Sequence, residues 1–485
     1  MSLKIPSNFL FNLLTYSTVF LASLFHPSDP DLGWYLKYGE YFFKNHTILR
    51  ENIFSSQMTD FRWVNHSWGT DLISYFTFSN FGFLGLSILG ALVITATFYF
   101  FAKSAKLNLF EKALIFPILL YFLSPLNSVS FRGQLLSLLF LGILVCILTK
   151  ASNSLKDEKT PSIIYMLPPI FVLWSNLHGQ FILGLAVFAL WIGASSLATY
   201  KESPLKVLRL LTVFLMCTLA VLINPFGIGV YQEAIKHFNN PLSKNIAEWV
   251  GTQTLSALWW HQVLVGIGIF FGLIYLLFSQ KIRNFLPQIL ITSLLYLISF
   301  SVRRFAWPMY YFSIFLLKPL AAYFKPESRK YQLVCAAVIF ILYILGMFLI
   351  DNPFKRIQNM SWLSYCQHYI ECSEGALNYL VANNLGSDLL TYYGWGGYMI
   401  WNYPQIKPSI DGRMTLWRDD NGYSAFEEYY AYEQNTADIE NSSYDTVLMY
   451  NQKPLYNRLE KLVSEGKWQK VYEDKFAGVF TRNKN

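Results

Sequence analysis

Charge is scarce in this chain: Asp, Glu, Lys and Arg make up 14% of its 485 residues, against about a quarter in a soluble domain. So little charge cannot clothe a water-exposed surface of this size. With 54% apolar and 18% aromatic residues, the composition points to lipid as the solvent. Cysteine (5) and histidine (7) are few, and their spacing makes no zinc site. The sequence has no phosphate-binding glycine loop and no nucleophile elbow, which argues against a nucleotide-driven reaction in the cytoplasm. It also has no tandem repeat and no low-complexity linker. The formal charge of +8 does not signal nucleic acid. Its basic residues sit in short loops between apolar runs, where they orient helices.

Those runs are what the chain has in plenty. Crossing ~30 Å of hydrocarbon takes roughly 17–25 apolar residues. Suitable stretches fall near 8–25, 70–101, 113–129, 134–149, 162–176, 180–199, 206–223, 257–279, 285–301, 305–323 and 331–350, giving about eleven spans. The first, Phe9 to Phe25, lacks a small-residue cleavage site and reads as an uncleaved helix. The second has a Gly-rich step at Phe81–Gly85. If the N-terminus is cytoplasmic, the inner loops carry Lys103, Lys106 and Lys112; Lys150, Lys156 and Lys159; Lys201, Lys206 and Arg209; Lys281 and Arg283; and Lys325, Arg329 and Lys330. Every inner loop then obeys the positive-inside rule. An odd number of spans puts the segment after 350 outside.

The expected fold is therefore an α-helical polytopic membrane protein with a C-terminal extracytoplasmic α/β domain. Its transmembrane module covers 1–350, with long outer loops at 26–69 and 224–256, and its outer domain covers 351–485. In that domain Glu374–Asn384 and Leu455–Glu465 have helical periodicity. Asp388–Tyr393, Ile406–Ile410, Thr446–Tyr450, Gln469–Glu473 and Gly478–Thr481 read as strands. All seven histidines (26, 46, 66, 178, 237, 261, 368) fall on or near the outer side. Cys146, Cys217 and Cys335 lie inside apolar runs. Cys366 and Cys372 lie outside them, either as thiols or as a disulfide.

Two carboxylates, Asp29 and Asp31, follow the first span directly. At a membrane surface a partly desolvated carboxylate can act as a general base on a hydroxyl, and a pair can share a divalent cation. The plainer reading is that one of them caps the helix expected over Leu32–Phe43. That helix carries Trp34, Tyr35, Tyr38, Tyr41 and Phe42 beside Lys37 and Lys44. It would lie in the interface plane with its rings among the headgroups, where Trp34 and Tyr35 could hold a lipid-linked substrate.

The segment Asp29-Pro-Asp31-Leu-Gly-Trp34-Tyr35-Leu-Lys-Tyr-Gly39-Glu-Tyr-Phe resembles the first outer loop of bacterial GT-C superfamily glycosyltransferases. It is followed by Asn52-Ile-Phe54-Ser55 and Trp63-Val-Asn-His66-Ser-Trp68. These enzymes are related to the protein O-mannosyltransferases and aminoarabinose transferases. A little-characterised bacterial branch also carries patterns like Trp174-Ser-Asn176-Leu-His178-Gly179, Asn224-Pro225-Phe226-Gly227, Glu248-Trp249, Gly396-Gly397-Tyr398 and Asp411-Gly412-Arg413. The resemblance implies an enzyme of the bacterial plasma membrane, with its N-terminus cytoplasmic and its active face outside. It would transfer a sugar with inversion from a polyprenyl-phosphate donor to an acceptor hydroxyl on a glycan, lipid or protein. The base would be Asp31, which stands at the family's spacing before Tyr35. Many relatives have a second acid directly after the first. Here Leu32 follows, so Asp29 would assist or hold Mg or Mn.

A departing phosphate needs cationic donors. Arg303, Arg304 and Arg132 stand at outer boundaries against the charge bias, and arginine makes the better phosphate fork. The plainer reading is that they snorkel to headgroups. His178, at a tight outer turn, could donate to phosphate or ligate metal, or simply end a helix. Glu248 is a second acid or the partner of a nearby cation. Gly394–Tyr398 and Asp411–Arg413 read as turns that allow close backbone approach. A transporter or flippase of lipid-linked glycans is the alternative, but it should place charges within its spans, and these spans are nearly free of charge. A scaffold that only displays the tail leaves the first-loop acids unexplained.

Overall fold

In the computed structural model, which describes residues 7–153, 162–199, 204–239 and 246–483, an apolar helix stands at each expected span. In chain order they are Ser7–Ala22, Trp68–Ser104, Leu109–Asn127, Gly133–Asn153, Leu167–Leu177, Phe181–Thr199, Pro204–Ala220, Ala257–Phe278, Leu286–Ser301, Ala306–Tyr323 and Arg329–Ile350. Among the described residues, six helices are long and apolar enough to cross a membrane, and four apolar ones are shorter. Large apolar side chains such as Leu264, Phe270, Leu345 and Leu349 stay exposed on their outer faces, as lipid-facing residues do. The chain is an integral membrane protein. Lys156, Lys159 and Lys201 lie outside the described residues. The Gly-rich step is a break: Gly82, at φ 59°, interrupts the Trp68–Ser104 helix, a conformation costly for any residue with a Cβ.

The chain divides into two compact units. The first comprises Met1–His26, Leu86–Ala234 and Lys244–Gln358. At its centre is the Ala306–Tyr323 helix, buried almost all round from Ala306 to Leu316, as a helix apolar on every face requires. Aromatic rings knit it to its neighbours. Phe98 meets Phe116 at 4.8 Å and Tyr311 at 5.2 Å, and Phe101 stacks on Tyr311 at 5.2 Å. Polar ends are closed locally. Asn108 and Glu111 form a reciprocal capping box at the start of Leu109–Asn127, with bonds of 3.0 and 2.8 Å. The Lys318 ammonium donates to the Ala105 and Lys106 carbonyls at 2.7 and 3.2 Å, where a helix end concentrates negative potential.

The second unit comprises Pro27–Gly85, Ile235–Ser243 and Asn359–Asn485. It takes in the first outer loop as well as the segment from Asn359 onward. Side chains from both segments share one apolar core, including Trp34, Tyr38, Phe54 and Trp63 with Ile410, Met414, Trp417 and Phe426. Four strands, β1 (Leu389–Thr391), β2 (Thr446–Tyr450), β3 (Trp468–Glu473) and β4 (Ala477–Arg482), pair in the order β1-β2-β4-β3. Only β1 and β2 are parallel. Such a pair needs a long crossover, and residues 392–445 supply it with helices Gly396–Asn402 and Ala425–Glu433. Central β2 is buried at every position. Cys366 and Cys372 form a disulfide, and the other three cysteines are free.

The strand expected at Ile406–Ile410 is not there. Pro404 and Pro408 remove ladder donors. The pairing is done by side chains instead: the Thr391 amide donates to Ser409 Oγ at 2.9 Å, and the Ser409 amide to Thr391 Oγ1 at 3.1 Å.

First loop and tail are held together by Arg413, whose side chain has no solvent exposure. It donates to both carboxylate oxygens of Asp411 at 2.8 and 2.7 Å, to Asn52 Oδ1 at 2.9 Å and to Ser55 Oγ at 3.1 Å. The Ser55 hydroxyl donates in turn to Asp411. The rings of Phe54, Trp63 and Trp417 lie 5.0, 5.3 and 5.4 Å from the guanidinium. Desolvation alone would raise the Asp411 carboxyl. The Arg413 charge and hydrogen bonds outweigh it and hold the group below its usual range. Replacing one partner of a buried pair strands the other, at a cost of about 3–5 kcal/mol. Arg413→Met should therefore sharply lower the melting temperature of the detergent-solubilised protein. Unchanged melting would show that this pair does not hold the second unit together.

Candidate functional site

The first-loop acids divide their duties by geometry. Asp29 is buried, at 3% exposure, and builds the turn into the Leu32–Asn45 helix. Its Oδ1 accepts the Asp31 amide at 3.1 Å, its Oδ2 accepts the Tyr35 hydroxyl at 3.4 Å, and its carbonyl accepts the buried Tyr365 hydroxyl. Asp31 stands at the N-cap of that helix but makes no side-chain capping bond. It remains half-exposed.

Glycines let the tail close around it. A Cβ on Gly412 would fall 1.9 Å from Asp31 Oδ1, and one on Gly397 would fall 2.4 Å from the Pro30 carbonyl. On the helix itself, a Cβ on Gly33 would meet the Gly397 carbonyl at 1.9 Å. Two tyrosines stand within electrostatic reach of the acids. Desolvation, then the charges of Asp31, Asp411 and Asp29, push the Tyr393 hydroxyl well above its ordinary range. Desolvation, Asp29 and Asp31 do the same at Tyr365. Both therefore stay protonated as donors near neutral pH. A further carboxylate, Asp71, is buried, accepts Asn65 Nδ2 at 2.7 Å and feels the charges of Asp31 and Arg413.

Trp34 and Tyr35 are not placed as interfacial anchors. Trp34 is 7% exposed and packs edge-on against Trp63 at 6.1 Å, because the tail covers that face of the helix. Tyr35 gives its hydroxyl to Asp29. Among the described residues no group of three or more His, Cys, Asp or Glu could hold a metal ion, and the Asp29 carboxylate is already engaged in the turn.

The remaining candidates belong to the first unit, where four distant segments meet. Arg132 Nη1 donates to Glu248 Oε1 and Arg304 Nη1 to Glu248 Oε2, each at 2.9 Å. Arg304 Nη2 lies 3.4 Å from His178 Nε2, and His178 Nδ1 lies 2.7 Å from Ser137 Oγ, which also accepts the Trp174 indole N–H at 2.8 Å. A tautomer with the proton on Nδ1 satisfies this chain, leaving Nε2 to accept from Arg304. Arg304 also lies over the Trp249 ring at 5.5 Å. Arg303 turns aside, its Nε donating to the Gly251 carbonyl at 3.1 Å. Asn176 and Asn224 build turns: Asn176 donates to the Val172 and Ile223 carbonyls, and Asn224 accepts the Phe226 amide. Of the three arginines read from the sequence, two are brought together.

Sequence reasoning missed Asp71, because an acid in the first turn of a helix reads as a partner of the helix dipole. It also missed Ser137, one serine among many in an apolar run. From the sequence, Arg413 reads only as part of a turn.

No protein-family model matches the chain, and no curated protein matches it in sequence. Solved structures do match. The oligosaccharyltransferase of Archaeoglobus fulgidus, tethered to an acceptor peptide containing the NVT sequon, aligns with a TM-score of 0.56 at 10% identity, over 92% of this chain and 70% of its own. Its apo form gives 0.52 at 10% identity over the same shares. ArnT from Cupriavidus metallidurans, bound to undecaprenyl phosphate, gives 0.52 at 12% identity over 97% of each chain. At such identities the likeness is one of fold, and that fold is the GT-C fold.

Desolvation would raise the Glu248 carboxyl, but the Arg132 and Arg304 charges outweigh it and hold it below its ordinary 4.5. A carboxylate depressed in this way stabilises the fold above its unfolded pKa, and that contribution is lost as pH falls through the folded value. Glu248→Gln should therefore melt below the parent protein at neutral pH, with the gap closing as pH drops below about 4. A constant gap across that range would mean that Glu248 is not the titrating partner of the two arginines.

Proposed function

We propose that this chain, built on the GT-C fold, is a glycosyltransferase that moves a sugar from a polyprenyl-phosphate donor to an acceptor hydroxyl on the extracytoplasmic face of the bacterial plasma membrane. The observation that carries the proposal is Asp31. It is a half-exposed carboxylate at a helix start, close against the Gly412 backbone, while neighbouring Asp29 is used to build the turn beneath it. The fold shared with two glycosyltransferase structures supports the reading, one of them solved with undecaprenyl phosphate.

The acceptor oxygen attacks the anomeric carbon as its proton passes to Asp31. The bond from that carbon to the phosphate oxygen breaks, the electron pair leaves with the lipid phosphate, and the anomeric configuration inverts. A base so placed contributes roughly 100- to 10,000-fold. Tyr393 and Tyr365, held protonated, add no negative charge in the neighbourhood of Asp31. Within the first unit, Glu248 engages one nitrogen each of Arg132 and Arg304 and fixes the two forks, which suits that pair to an anionic group. The positive loops support a cytoplasmic N-terminus and an outer segment over 351–485, and the Cys366–Cys372 disulfide is in keeping with an oxidising compartment.

The test is sugar transfer from radiolabelled polyprenyl-phosphate sugars in sealed right-side-out and inverted vesicles. Asp31→Asn should lower turnover roughly 100- to 10,000-fold while donor binding persists, and activity should belong to the right-side-out vesicles. Full activity in Asp31→Asn would remove Asp31 as the base.

A further inference from the structure

The Leu32–Asn45 helix has a second polar face that the proposed reaction does not use. Lys37, Glu40, Tyr41, Lys44 and Asn45 recur at the three- and four-residue steps that share one side of a helix. They line a cavity of about 320 Å³. Ile53 and Phe54 from the first loop close it, with Ile400, Pro404, Ile406 and Lys407 from the tail. Its floor is apolar, since Phe54, Ile400 and Ile406 are at most 9% exposed. Its rim is cationic. Three lysines face one carboxylate, an excess of two positive charges.

Glu40 keeps its negative charge, so the excess stays at two. Desolvation would raise its carboxyl, but the ammonium groups of Lys37 and Lys44, each 2.7 Å away, hold it below the usual range. It thereby fixes both lysines at the rim. Lys407, contributed by the tail, has no carboxylate partner among the described residues, and it is exposed. An ordinary solvated helix face would show the Glu40 pairs alone. It would not add an apolar floor or a third cation from a segment more than 360 positions away. The volume is at the small end of the range for ligand sites, about 300–1,000 Å³, with room for one sugar ring or a glycerol phosphate.

We infer that this cavity binds a phosphate or carboxylate group carried on a sugar-sized moiety, with Lys44 and Lys407 taking the anion and Tyr41 and Phe54 the apolar face of the ring. The inference does not depend on the transfer reaction, because binding alone tests it. Two sources share this chemistry: an anionic lipid headgroup, and an anionic group on a soluble or polymeric molecule.

The full-length protein in phosphatidylcholine nanodiscs would be titrated calorimetrically with glycerol 1-phosphate and with glucuronate, using glycerol and glucose as neutral controls. The anions should bind and the neutral compounds should not, and binding should weaken with added salt. Lys44→Gln and Lys407→Gln should each lower affinity roughly tenfold, as expected for one charge-assisted contact. Glu40→Gln should leave affinity unchanged or raise it. Doping the nanodiscs with phosphatidylglycerol distinguishes the sources. Lysine-dependent displacement of the soluble anion assigns the site to a headgroup, and undiminished binding assigns it to a non-lipid anion. If neither anion binds in a lysine-dependent way, with the variants folded and melting normally, the inference is overturned.

Discussion

Arg413 is buried with Asp411 at the seam between the first outer loop and the tail, and the geometry around Asp31 depends on that pair. Taking both charges out of water costs several kcal/mol per ion, and only a dense set of partners repays it. The guanidinium has Asp411 on two nitrogens, Asn52 and Ser55 on one of them, and three aromatic rings around it. Once it is seated, Gly412 is carried against the Asp31 carboxylate, and Gly397 lies against the Pro30 carbonyl. A methyl group at either glycine would push the tail away. The turn that presents Asp31 and the tail that frames it are in this sense one folded object, although the chain passes through many membrane helices between them.

Much of this could be read from the residues, for physical reasons that differ from part to part. Lipid forces every spanning segment to be long, apolar and helical, so the helices stand where the runs are. Central β2 announces itself by an unbroken apolar stretch, and Pro454–Ser464 by its amphipathic spacing. Ile406–Ile410 reads as a strand only from the isoleucine at each end, and the two prolines and the Ser409–Thr391 side-chain bonds replace the ladder. The motif Asp411-Gly412-Arg413 reads locally as a turn, which it is. That Arg413 also reaches Asn52, 361 positions away, has no local signal. The same holds for the two first-loop acids. Either could serve as a base on chemistry alone, and only the structure shows that Asp29 is built into the turn.

In the first unit, the arginines that broke the positive-inside pattern turn out to be organised rather than scattered. Glu248 draws Arg132 and Arg304 to its two oxygens, and His178, steadied by Ser137 and Trp174, comes to the far side of Arg304. A carboxylate that keeps two guanidiniums in fixed orientation makes them a preformed anion site. Two arginines snorkelling separately to headgroups would share no such partner. The backbone supports the arrangement, since the Arg304 amide donates to the Glu248 carbonyl at 2.9 Å and the Arg303 amide to that of Val250 at 3.1 Å.

The central claim is that the bond broken is the one between a sugar and a polyprenyl phosphate. The most direct measurement is mass spectrometry of the lipid products formed by the purified protein from a polyprenyl-phosphate sugar and a mixed acceptor extract. The account predicts polyprenyl monophosphate appearing in step with glycosylated acceptor of inverted anomeric configuration. Intact donor translocated across the membrane with no free lipid phosphate would contradict it and make the protein a transporter.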